Sequence, residues 1–118
     1  MRSERYLTKR EQYATVYHKG ASWVDRVVVM RALSNGLATS RCGFSVSSRV
    51  GGAVIRNRIK RQLREILRSL PLKTGWDVII IARPAAAKAD FSVLNNEVGN
   101  LLSKAQLIEP DQKTDAVG

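Results

Sequence analysis

Residues 53–70, AVIRNRIKRQLREILRSL, constrain this chain more than any other segment. On a helical wheel of about 100° per residue, Ile55, Ile59, Leu63, Ile66, Leu67 and Leu70 gather on roughly a third of the circumference. Asn57, Arg58, Arg61, Arg64 and Arg68 gather on the far side, with Arg56 and Lys60 at the margins. One face of this helix packs on a core and the other stays in water. Six cations share it with a single acid, Glu65. Like charges at i, i+3 and i+4 cost a few tenths of a kcal/mol per pair. A polyanion would neutralise them; the plainer reading is a solvated basic face. Five of the six are arginine, whose guanidinium forks onto phosphate and stacks on bases, a preference that suits RNA.

The rest of the chain carries the same bias: 20 Lys/Arg against 10 Asp/Glu give a formal charge of +10 over 118 residues. Such a surface repels itself, and nucleic acid or an anionic membrane is the usual reason to keep it. No apolar run approaches the roughly 20 residues of a membrane span. The N-terminus lacks the apolar stretch of a signal peptide, so the expectation is a cytoplasmic protein without a membrane partner. Cys42 and His18 are the sole cysteine and histidine, too few for a Cys/His zinc site. Cys42 alternates with polar neighbours beside Phe44 and reads as a buried structural thiol. No role is assigned to His18.

The length suits one domain, residues 1–108, with a polar tail at 109–118 expected to be disordered. Residues 1–7 read as a loose basic arm. Thr8 and Glu11 form a capping-box pattern before a helix whose Tyr13, Val16 and Tyr17 share a face and which Gly20 stops. β-Branched residues then predict a short strand, a turn near Asp25 and Arg26, and a longer strand over 27–33. Asn35-Gly36 is a hairpin signal, with a return strand over 40–47. After the basic helix, VIIIA within 76–83 has the character of a central strand buried on both faces. Asp90 caps a last helix over about 91–107, with Phe91, Leu94, Val98, Leu101 and Leu102 inward. The order α-β-β-β-α-β-α predicts an α+β sandwich, helices against a mostly antiparallel sheet of four strands.

Against that background, GFSVSSRVGGAVIRNRIKRQLRE (residues 43–65) resembles the signature of the bacterial ribonuclease P protein subunit. Its centre is Arg56-Asn57-Arg58, followed by Ile59-Lys60-Arg61 and Arg64. DVIIIARP (77–84) and LTKREQYATVYHKG (7–20) are also similar to that family. The resemblance implies an RNA-binding fold like that of some ribosomal proteins. It also implies a left-handed β-α-β crossover, against the general right-handed rule.

It further implies a function. Ribonuclease P removes the 5′ leader of precursor tRNA. The catalytic centre, with its magnesium ions, belongs to a large RNA, and the protein has no catalytic residue or firmly bound cofactor of its own. Partners would be the catalytic RNA and precursor tRNA, not DNA. The resemblance places Arg56, Asn57, Arg58, Lys60, Arg61 and Arg64 on the RNA subunit, with Arg68 extending the strip. Arg49, in the loop before the helix, suits a phosphate contact. Tyr13 and Tyr17 match the aromatics of a cleft that holds the single-stranded leader; core packing at i, i+4 is the alternative. Arg31, where some relatives carry an aromatic, and Lys9 join them, with Arg26 and Arg83 as lesser candidates. A small ribosomal protein of the same fold is the competing reading. A protein-only nuclease is a third, and the chain offers no clear acid or histidine set for it.

Overall fold

The computed structural model describes residues 5–109. Its elements are α1 (Arg10–Lys19), β1 (Ala21–Val24), β2 (Val28–Ser34), β3 (Arg41–Ser45), α2 (Ala53–Ser69), β4 (Trp76–Ala82) and α3 (Phe91–Lys104). This is the α-β-β-β-α-β-α order that the sequence predicts. A short 3₁₀ turn, Pro84–Lys88, occupies the alanine-rich loop.

The sheet is mixed, in the order β1-β2-β4-β3. β2 pairs antiparallel with β1 and with β4, whereas β3 pairs parallel with β4. β4 is central because it is apolar on both sides. Val78, Ile80 and Ala82 join Val28, Met30 and Ala32 of β2 in the main core, with Ile59, Leu63, Ile66 and Leu67 of α2 and Leu94, Val98, Leu101 and Leu102 of α3. Ile79 faces the other way and forms a smaller cluster with Leu7 and Val16, flanked by Tyr13, Leu33 and Ile81. α1 therefore covers one face of the sheet, and α2 with α3 covers the other.

The Asn35-Gly36 turn does not close a hairpin. Gly36 takes a left-handed φ of +70°, and the Asn35 carboxamide oxygen accepts from the Leu37 N–H at 2.7 Å, so the chain does reverse. β4, however, inserts between β2 and β3. Stepping over one strand takes about 10 Å, which a six-residue loop spans with ease. The local signal specified the reversal, and the doubly apolar β4 decided which strands are neighbours.

Three further expectations change. The α1 cap lies one residue later than the T-x-x-E pattern suggests: the Gln12 side-chain oxygen accepts from the backbone N–H of Thr8 (2.8 Å) and Lys9 (2.9 Å). The arm is fixed by residue 6, where Tyr6 bridges to Cys42, the Leu7 N–H donates to the Cys42 carbonyl at 2.9 Å, and Leu7 is buried. α3 ends at Lys104, and the following segment returns to the core, with the Glu109 N–H donating to the Pro71 carbonyl at 2.6 Å. The expected disorder of 110–118 lies outside the described residues.

Asp90 does cap α3, accepting from the Val93 N–H at 2.9 Å. Gly20 must be glycine because two backbones meet there. A Cβ would lie 2.5 Å from the Val16 carbonyl oxygen and 2.9 Å from that of Ala32. The close approach seats the end of α1 on β2.

Candidate nucleic-acid interface

α2 forms as its periodicity dictates. Ile59, Leu63, Ile66 and Leu67 are buried, Ile55 and Leu70 half-buried, and Asn57, Arg61, Arg64 and Arg68 exposed. Gly52 caps its start without a side-chain bond, and no acid stands in the first turn. The positive end of the helix dipole thus adds to the positive side chains.

Two of the arginines are partly committed to the fold. Arg56 Nε donates to the Gly51 carbonyl at 3.1 Å, clamping the loop before the helix. Arg58 Nη2 donates to the Ala87 carbonyl at 2.9 Å, tying α2 to the 3₁₀ turn. Arg61, Arg64 and Arg68 make up the open part of the strip, and Arg49 is exposed in the preceding loop. Among the described residues the one ion pair is Arg41–Asp77, so no carboxylate lies within 4.0 Å of any α2 cation. Their charge is thus not neutralised by an ion pair among the described residues.

The Arg41–Asp77 pair is structural. Asp77 is buried at the start of β4 and accepts from Arg41 Nε (2.9 Å) and Nη2 (2.7 Å) and from the Asn35 carboxamide (2.8 Å). Its bond raises the Arg41 pKa above the ordinary value, and the fork fixes β3 beside β4.

The second surface lies on the α1 side. Cross-strand register puts Ser22, Arg31, Ile79 and Gly43 in one row and Val24, Val29, Ile81 and Ser45 in the next. Val29, Ile81 and Ser45 stay half-buried although Val29 and Ile81 lie on interior strands. α1 therefore leaves part of the sheet open as a floor. Tyr17, on the helix that covers this face, is 39% exposed, and its carbonyl accepts from Arg31 of that face. Tyr13 is half-buried, and its ring lies so close over Gly43 that a Cβ there would sit 2.8 Å from it. Tyr13 is thus partly a packing residue, and Tyr17 is the freer ring.

Arg31 is bound into the fold as well. Its Nη2 donates to the carbonyls of Tyr17 (2.5 Å) and Gly20 (2.9 Å), which places a cation on the negative end of α1. It thereby fixes the backbone of Tyr17. Lys9 is exposed at the start of α1, and His18 is exposed in its last turn. Arg83 ties the end of β4 to the β1–β2 turn through the Asp25 carbonyl at 2.9 Å, and Arg26 is exposed in that turn.

An aromatic pair at the sheet edge escapes a linear reading. Tyr6 and Phe44 pair at 6.4 Å with rings tilted 52°. They line a groove with Tyr13, Lys60 and Arg64 that runs around the β3 edge. A larger groove of about 380 Å³ continues it past Arg64, Arg68 and Leu70. The tyrosine of α1 and the cations of α2 are therefore connected over the surface, although they lie on opposite faces of the sheet. By pattern, Phe44 is an ordinary inward strand residue and Tyr6 part of an arm. Only the position of β3 at the sheet edge brings them together.

A family model described as Ribonuclease P matches residues 1–106. The chain is 46% identical over 115 residues to the ribonuclease P protein component of Dehalococcoides mccartyi strain CBDB1, covering 97% of this chain and 96% of that one. It is 39% identical to that of Caldanaerobacter subterraneus subsp. tengcongensis, covering 91% and 94%. Among solved structures it is similar to a Staphylococcus aureus RNase P protein mutant with defective mRNA degradation activity (TM-score 0.85, 31% identity, 92% of this chain and 93% of that one). It is also similar to the RNase P protein from Thermotoga maritima (TM-score 0.78, 28% identity, 90% and 99%). The chain belongs to the ribonuclease P protein family.

Proposed function

We propose that this ribonuclease P protein holds the catalytic RNA of its holoenzyme on the α2 strip and the 5′ leader of precursor tRNA on the α1 side. The observation that carries the first half is a helix with six cations and no paired carboxylate within the described residues. Phosphates supply the missing counter-charge, and arginine forks fix their orientation. Asn57, exposed among the arginines, has an amide suited to a base edge or a ribose hydroxyl.

Support for the second half is the half-open sheet floor on the α1 side together with the exposed Tyr17 ring of α1. An aromatic ring over an apolar floor accepts any base by its π-face, at roughly 1–3 kcal/mol per base. That tolerance suits a subunit whose substrates differ in leader sequence. Tyr13 joins through the edge groove with Lys60 and Arg64, and Lys9 and Arg31 add positive charge to this side.

Cleavage itself belongs, in this reading, to the RNA subunit, where bound magnesium would supply Lewis-acid chemistry for hydrolysis. The chain's own residues bind and orient. A fixed strip of guanidinium also replaces part of the screening that free magnesium otherwise gives to folded RNA. The effect of the protein should therefore be largest at low magnesium.

The test is reconstitution. The protein is added to ribonuclease P RNA at low magnesium and supplied with precursor tRNA. Leader cleavage should rise well above that of RNA alone; no increase refutes the proposal. A ribosomal protein of the same fold would bind RNA and leave cleavage unchanged. No helix of the described residues is long and apolar enough to cross a membrane, and the reading places the protein in the cytoplasm with its RNA.

A further inference from the structure

Phe91 departs from its sequence pattern. Its spacing with Leu94, Val98, Leu101 and Leu102 predicts an inward ring, and those four are buried, yet Phe91 is 38% exposed. It opens α3 just after the Asp90 cap and borders a groove with Arg58, Gln62, Lys88 and Asp90. We propose that this groove takes one unpaired nucleotide of the RNA subunit, its base stacked on Phe91, its phosphate held by Arg58 and Lys88, and its base edge met by the Gln62 amide. The inference rests on the reading of α2 as the RNA-subunit face and extends that face across the 3₁₀ turn onto α3.

Each part has a physical reason. Arg58 is pre-ordered by its bond to the Ala87 carbonyl, which uses one of five N–H donors and leaves the others for phosphate. Lys88 stands at the end of the 3₁₀ turn and adds a second cation. The one carboxylate in the groove, Asp90, is engaged by the first turn of α3 through the Val93 N–H. The groove is thus complementary to an anion.

Gln62 supplies an independent sign. Its Oε1 is buried and has no hydrogen-bond partner. An unmet buried acceptor is unfavourable, and the residue is half-exposed, so turning the amide into the groove relieves it wherever a donor waits. Base amino groups are such donors. The groove, about 330 Å³, is at the small end of the 300–1,000 Å³ typical of small-ligand sites, a size for one nucleotide and not for a helix.

The experiment compares the full-length protein with its Phe91→Leu and Phe91→Trp variants for affinity to ribonuclease P RNA over a salt series, at a temperature where all three are folded by circular dichroism. Leucine keeps an apolar side chain but no π-face, so Phe91→Leu should weaken binding about tenfold. The slope of log affinity against log salt should stay unchanged, because stacking releases no counterions. Phe91→Trp should bind within about twofold of the wild type, since its ring stacks as well. Equal affinity of Phe91→Leu and wild type overturns the inference. So does an equal loss in both variants, which would mean that the position packs against RNA or protein without taking a base. If the wild-type protein itself fails to bind the RNA, the α2 reading has failed, and that result is distinct from either.

Discussion

Cys42 shows how one residue's chemistry is set by its place in the sheet. It lies on β3 beside Val78 of β4, and its thiol pKa is pushed up to about 12 from 9.0, first by burial and then by the Asp77 charge. A thiol so shifted stays protonated and unreactive. The direction for stability follows from linkage. The folded state keeps the proton while the unfolded thiol ionises from about pH 9. The contribution is therefore complete below pH 9 and is lost as pH rises toward 12. A Cys42→Ala variant lacks this titration, so its stability deficit against wild type should narrow between pH 8 and pH 10.5 in urea unfolding. A gap that stays constant would show that burial does not hold the proton. At pH 8 a disulfide reagent should label the native thiol no faster than the chain opens. The sequence revealed this residue well, because period-2 alternation on one strand suffices to predict a buried side chain. It could not reveal Asp77 as a neighbour, since that contact depends on β4 entering between β2 and β3.

Among the elements, α2 was the most legible and the β2–β3 connection the least. An amphipathic helix records its two faces in its own periodicity, so its buried and exposed residues follow from the order of its amino acids. Strand order is a property of the whole sheet, and Asn35-Gly36 reports only a change of direction. The same limit applied to function: α2 announced its cations, but not which are tethered. Arg61 is exposed, whereas Arg58 is bonded to Ala87. Their alanine variants should therefore differ in kind. Arg61→Ala should lower affinity for the RNA subunit and flatten the log–log salt slope by about 0.7–0.9 per lost phosphate contact, with the melting temperature unchanged. Arg58→Ala should do the same and also destabilise the fold by about 0.5–1.5 kcal/mol through the lost bond to the 3₁₀ turn. An unchanged slope in both would remove the phosphate role. Equal melting temperatures would show that the Ala87 bond contributes nothing to the fold.

For the molecule as a whole, the sheet separates the two surfaces proposed to bind RNA, and its β3 edge rejoins them. Tyr17 on α1 and Arg61 on α2 belong to opposite layers of the sheet. Tyr13 and Arg64 line the same groove at the edge, with Lys60, Tyr6 and Phe44 between and beside them. Independent sites add, usually within about 0.3–0.5 kcal/mol, while residues sharing partners couple by about 0.5–3 kcal/mol. Two double-mutant cycles on precursor tRNA affinity of the reconstituted holoenzyme should therefore give opposite results. Tyr17→Ala should weaken precursor tRNA more than mature tRNA, Arg61→Ala should act through the RNA subunit, and together their effects should sum. Tyr13→Ala and Arg64→Ala should show a coupling energy above about 0.5 kcal/mol, because one strand of RNA passing around β3 would touch both side chains. Additivity in the second cycle would mean that the two faces bind separate RNAs with no shared path. Coupling in the first would mean that the close-packed sheet transmits strain between its faces.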